Sequence, residues 1–167
     1  YNLLGAGSWS LGQEAIRIWD YYSLWLNGWT FADSQGHWAV PYIIEAAERG
    51  SMTGLSNTSF GPDQTLTRGE AAVVICRLAG LEPDTTVPPS FADLAGHWAA
   101  GYVQAAFQHG LIAGVGNGLY APDLPVSRQE IAVLLNQILG PVSGGAGANP
   151  FSDLDPAQHF WSYDAIL

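Results

Sequence analysis

The chain has 167 residues, and five basic against fifteen acidic side chains give it a formal net charge of −10. All five basic residues are arginine, so it lacks the cationic field that a phosphate backbone requires, and a nucleic-acid partner is disfavoured. Apolar residues make up 48% of the sequence, enough for a packed core, yet no run reaches the roughly 18 apolar residues of a membrane span.

In chain order, residues 1–30 hold four of the seven tryptophans, Trp9, Trp19, Trp25 and Trp29. Residues 13–26 are apolar nearly all round, which argues for burial on several sides. A repeating unit follows. Phe31-Ala32-Asp33 recurs as Phe91-Ala92-Asp93 and again as Phe151-Ser152-Asp153, each sixty residues on. Without a gap, 19 of 50 positions are identical between 31–80 and 91–140. Residues 81–90, rich in Pro, and 141–150, rich in Gly and Ala, read as linkers.

Each unit reads as helix–loop–helix. The first helix is expected after Gly36-His37-Trp38, with Trp38, Tyr42 and Ala46 spaced four apart as its core stripe, matched by Trp98, Tyr102 and Ala106. Gly50 and Gly110 stand where a helix needs a left-handed stop. A loop follows with matched punctuation, Gly54, Asn57, Phe60, Pro62 and Asp63 against Gly114, Asn117, Tyr120, Pro122 and Asp123. The second helix opens on Thr67-Arg68-Gly69-Glu70 and on Ser127-Arg128-Gln129-Glu130, the capping-box pattern, and ends at Gly80 and Gly140. Ala72, Val73 and Leu78 continue its apolar face, and Cys76 reads as a buried thiol. One such hairpin cannot bury its own apolar stripe, so the units must pack on each other. Residues 151–167 read as the first half of a third copy.

In this order, Phe-x-Asp, His-Trp, Gly, Phe/Tyr-x-Pro-Asp and Thr/Ser-Arg-x-Glu, the residues resemble the S-layer homology (SLH) repeat. The resemblance covers 31–80 and 91–140 in full and 151–167 in part. It implies an all-α fold of tandem helix-loop-helix repeats packed as a pseudo-threefold bundle, at an extracellular, cell-surface location. It also implies non-catalytic binding of bacterial cell-wall polysaccharide, often bearing pyruvate ketals, in grooves between neighbouring repeats. Arg68 and Arg128 would then contact the acidic sugar, with Gly54, Gly114, Trp98, Glu70 and Glu130 shaping the grooves. No cofactor or metal is expected. Two competing readings stay open: a structural subunit that assembles with copies of itself, and the anchoring part of a larger cell-wall enzyme. The start lacks an initiator methionine and a signal peptide, so the sequence reads as a processed or partial chain.

Each candidate has a plainer role beside the functional one. Arg68 or Arg128 would form a salt bridge with Asp63 or Asp123 in the preceding loop. Trp38, Trp98 and Trp161 would pack in the core, and His37, His97 and His159 would make turn hydrogen bonds. Asp33, Asp93 and Asp153 would cap the turn before the first helix. Residues 1–30 are either the second half of the incomplete third repeat or a separate docking helix; their start, Ser10-Leu11-Gly12-Gln13, fits a capping box. Catalysis lacks a nucleophile triad, a metal motif or a phosphate loop to stand on.

Overall fold

The computed structural model describes residues 31–140, 151–155, 157–158 and 162–166. The terminal 1–30 segment, the 141–150 linker, His159 and Trp161 lie outside the described residues, and with them the expectations placed on them. The described chain is all-α. Its helices are α1 (Val40–Glu48), α2 (Arg68–Ala79), α3 (Ala100–Gln108), α4 (Arg128–Leu139) and the short α5 (Tyr163–Ile166). A 3-10 turn, Ala32–Ser34 or Ala92–Leu94, precedes α1 and α3. Among the described residues pairing of the β type is limited to isolated bridges, Thr67 with Pro125 and Gly116 with Leu119.

Local signals set the helix ends. Thr67 and Ser127 each accept the amide of the Glu three residues on, and that Glu returns a carboxylate oxygen to the cap residue's own amide. These two boxes satisfy donors that a helix start otherwise leaves unpaired. At the end of α1, Gly50 at φ 68° lets Ser51 donate to Ala46 O and Gly50 to Ala47 O. Gly110 repeats that left-handed stop after α3, with Leu111 donating to Ala106 O and Gly110 to Phe107 O.

The compact units do not follow the sequence repeats. One spans 1–64 and the other 65–167, so the boundary falls inside the first copy, just before its second helix. The physical reason is the apolar face of α2. Ala71, Ala72, Ile75 and Cys76 are buried, and α2 packs on α3 and α4 of the second copy. Phe91, Leu94, Val103, Ala106, Ile112 and Tyr120 complete that core. The Cys76 thiol donates to Tyr102 O at 3.2 Å inside it, and burial pushes its pKa up.

The expected stripes are corrected at Trp38, Tyr42 and Trp98, while Ala106 is buried and Tyr102 packs against the core as expected. Trp38 and Trp98 are 80% and 61% exposed, and Tyr42 is exposed as well. Both tryptophans sit in the turn before the first helical residue, where four-residue spacing no longer puts side chains on one face. The buried faces are Val40, Ile43 and Ile44 in α1 and Val103, Ala105 and Ala106 in α3. Leu78 lies at the open end of α2 and is exposed.

Candidate functional site

The loop after α3 is held by a carboxylate from the turn before it. Asp93 accepts the amides of Tyr120 (3.0 Å) and Ala121 (2.7 Å). In the 1–64 unit Asp33 does the same with Phe60 (2.9 Å) and Gly61 (2.8 Å), and also accepts the Ser59 hydroxyl (2.7 Å). These two aspartates therefore clamp a loop 27 residues downstream of their own turn. Burial opposes ionisation of Asp93, but the Tyr120 and Ala121 amides outweigh it and hold the carboxyl below its usual range. The clamp brings Phe91 against Tyr120, ring centres 5.6 Å apart. It also brings the Phe91 ring so close to Gly114 that a Cβ there would run into it, and Gly54 faces Phe31 in the same way.

On this loop rests the start of α2. The Arg68 amide donates to Leu124 O and the Gly69 amide to Pro122 O, both at 2.8 Å, while Val126 donates to Leu66 O at 3.0 Å. A Cβ on Gly69 would lie 3.2 Å from Pro122 O, so glycine permits this approach. The Arg68 side chain then enters the second copy. Its Nε donates to Tyr120 O at 2.9 Å and its Nη2 to Ala113 O at 3.0 Å. Nη1 donates to Glu130 Oε1, and the guanidinium carbon lies 4.7 Å from the Tyr120 ring centre. The Tyr120 hydroxyl closes the set by donating to Arg68 O at 3.0 Å. Burial pushes the Tyr120 pKa up to about 12, so the hydroxyl keeps its proton across the ordinary range.

Glu130 serves two helices at once. One carboxylate oxygen meets Arg68, and the other accepts the Ser127 amide (2.8 Å) and hydroxyl (2.7 Å). Burial again opposes its ionisation, but Ser127 and Arg68 together keep it below the usual carboxylate range. Beside this pair lies a cavity of about 420 Å³. Its wall comes from α2 (Arg68, Ala71), the loop residues 111–115, Tyr120, Val126, and the α4 face of Glu130, Val133, Leu134 and Gln137.

Of the candidate ligand-binding residues read from the sequence, Arg68, Glu130 and Gly114 meet at this cavity. The others do not line it. Glu70 caps α2 through Thr67, Gly54 lies in the 1–64 unit, and Trp98 is exposed beside His97, ring centres 5.4 Å apart. Arg128 is exposed at the start of α4, with no side-chain partner among the described residues. The expected Arg–Asp bridges give way to other pairings: Asp63 lies 3.3 Å from His37 Nε2, Asp123 lies 3.3 Å from His97 Nε2, and Arg68 takes Glu130. Each of those histidines also accepts an amide, from Ala39 or Ala99, so both make the turn hydrogen bonds expected of them. Sequence reasoning missed the acceptors Ala113 O and Tyr120 O, which are backbone atoms and leave no residue signature. Gln137 had a faint signal, as a polar residue on the apolar α4.

A profile of the S-layer homology domain matches residues 30–72 and 90–132. The chain belongs to the S-layer homology domain family. It is 35% identical over 121 residues to an S-layer protein of Bacillus thuringiensis subsp. finitimus, covering 71% of this chain and 15% of that one. A cellulosome-anchoring protein of Acetivibrio thermocellus is 30% identical over 144 residues, 82% of this chain and 31% of its own. An endoglucanase of Bacillus sp. (strain KSM-635) is 34% identical over 109 residues, 65% of this chain and 11% of its own. The chain thus spans less than a third of the length of each of these curated relatives. Membership in this SLH family, with such relatives, places the chain at the cell surface, outside the cell. No helix among the described residues is long and apolar enough to cross a membrane.

Proposed function

We propose that this SLH chain is a non-catalytic attachment module that holds to the bacterial surface by non-covalent binding of a cell-wall polysaccharide. The observation that carries the reading is the cavity of about 420 Å³ at the junction of two successive copies, where α2, the 111–115 loop and α4 converge. A concave, mostly apolar site with a few fixed polar groups is the usual form of a small-ligand pocket, and one or two sugar units suit its size. Membership in the S-layer homology family, with relatives named as S-layer and cellulosome-anchoring proteins, supports the coarser part of this reading, attachment at the cell surface. A pyruvylated polymer, as the family resemblance implies, would present its acid groups to Arg128, the helix-start arginine that is exposed.

Co-sedimentation with purified cell-wall sacculi tests this. The chain is expected in the pellet, and Val115→Trp in the supernatant. Val115 is 55% exposed at the cavity rim, so a larger side chain there fills the cavity without disturbing the core. An unmodified chain that stays in the supernatant, or a Val115→Trp variant that pellets equally well, would overturn the reading.

A further inference from the structure

The loop between α3 and α4 reverses at Gly116-Asn117-Gly118-Leu119. The Leu119 amide donates to Gly116 O at 2.9 Å, and Asn117 (φ 53°) and Gly118 (φ 72°) are both left-handed. Such a turn favours the pair Asn-Gly. Its four residues are exposed, and a bond from the Ala92 amide to Gly118 O at 3.0 Å ties it to the start of the second copy. Among the described residues, neither the Asn117 side chain nor the Gly118 amide has a hydrogen-bond partner. Glycine leaves that amide nitrogen unshielded, and glycines on both sides let the turn open locally at little cost. The first copy lacks this combination. Asn57 is followed by Thr58, whose branched side chain crowds its own amide nitrogen, and that amide already donates to the Ser56 hydroxyl oxygen at 3.2 Å.

We propose that Asn117 is a site of spontaneous modification, where the chain deamidates through a cyclic imide as it ages. The Gly118 nitrogen attacks Cγ of the Asn117 side chain. The N–Cγ bond forms, the Cγ–Nδ2 bond breaks, and Nδ2 leaves as ammonia, taking up through solvent the proton that Gly118 gives up. Water then opens the ring at either carbonyl, leaving an aspartyl or an isoaspartyl residue, so an amide and a water become an acid and an ammonia. The aspartyl product keeps the turn, because its side chain tolerates the left-handed region, and it adds a negative charge to the −10 already present. The isoaspartyl product routes the backbone through the side chain and lengthens a loop that has only two central residues. That displaces Gly118 O from the Ala92 amide and frees the turn.

Incubation of the purified chain in warm, mildly alkaline buffer tests it. Cleavage after arginine puts Asn27-Gly28, Asn57 and Asn117 on separate peptides, 18–49, 50–68 and 78–128. Peptide 78–128 is expected to shift in mass from amide to acid about tenfold faster than 50–68, with an isoaspartyl linkage at 117. Asn117→Gly is expected to abolish that shift while keeping the turn, since glycine adopts the same left-handed backbone. In the converted fraction, hydrogen exchange at the Ala92 amide is expected to quicken by about tenfold, and in incubated Asn117→Gly to stay unchanged. A shift in 50–68 as fast as in 78–128, a shift in 78–128 that persists in Asn117→Gly, or an Ala92 amide equally protected in isoaspartyl material would overturn the inference.

Discussion

The starts of α2 and α4 carry the same motif and the same capping box, yet their arginines stand in opposite circumstances. Arg68 is enclosed by the loop of the next copy, and its guanidinium is matched by Glu130. Arg128 is exposed. The residues beside them differ accordingly. Gly69 admits Pro122 O to within hydrogen-bonding distance of its amide, whereas the matching Gln129 carries a side chain that accepts the Ser162 hydroxyl at 3.4 Å. The two glutamates diverge as well: Glu70 caps its own helix, and Glu130 caps its helix while also neutralising the arginine of the preceding copy. A repeated motif thus fixes only its local hydrogen bonds. What the neighbouring copy brings to it decides whether its charge is spent inside the protein or left open to a partner.

Substitutions sharpen that contrast, beginning with the arginines. Arg68→Ala should cost about 3 kcal/mol in urea denaturation, because it strands Glu130 and undoes three bonds to the second copy. Arg128→Ala should cost less than about 0.5 kcal/mol, as expected of an exposed side chain. Equal losses would mean that the two sites are alike after all. Next comes Glu130→Gln, expected to cost roughly 2 kcal/mol through the lost charge opposite Arg68, against roughly 1 kcal/mol for Glu70→Gln, which weakens a cap alone. Thr67→Ala and Ser127→Ala should each cost about 1 kcal/mol, and should match, since the boxes are built alike.

The smallest effect is in the acid range. The folded Glu130 carboxyl lies below its ordinary value. Its stabilisation is therefore complete above the unfolded carboxylate range and is lost as pH falls through the folded value. Unfolding free energies followed from about pH 6 to about pH 3 should fall less steeply in Glu130→Gln than in the unmodified chain.

Much of the fold was legible in the sequence because it is written in local patterns. The two capping boxes, the left-handed stops at Gly50 and Gly110 and the buried thiol of Cys76 depend on residues a few positions apart or on one apolar run. The clamp from Asp93 to Tyr120 spans 27 residues, and the bond from Arg68 to Glu130 spans 62. Those partners follow from how α2 docks on the second copy, which no local spacing encodes. The tryptophan stripe misled for a related reason: His37-Trp38 and His97-Trp98 look like the start of a helix, but the helices begin two residues later. The cavity was half visible, through Arg68, Glu130 and Gly114, while its aliphatic wall looked like any core-facing helix.

The most direct test is a nitrogen-15 NMR titration of the chain with soluble cell-wall polysaccharide fragments. The account predicts shifts at the amides of residues 111–115 and at the Gln137 side chain. Shifts confined to surfaces away from the cavity would contradict it.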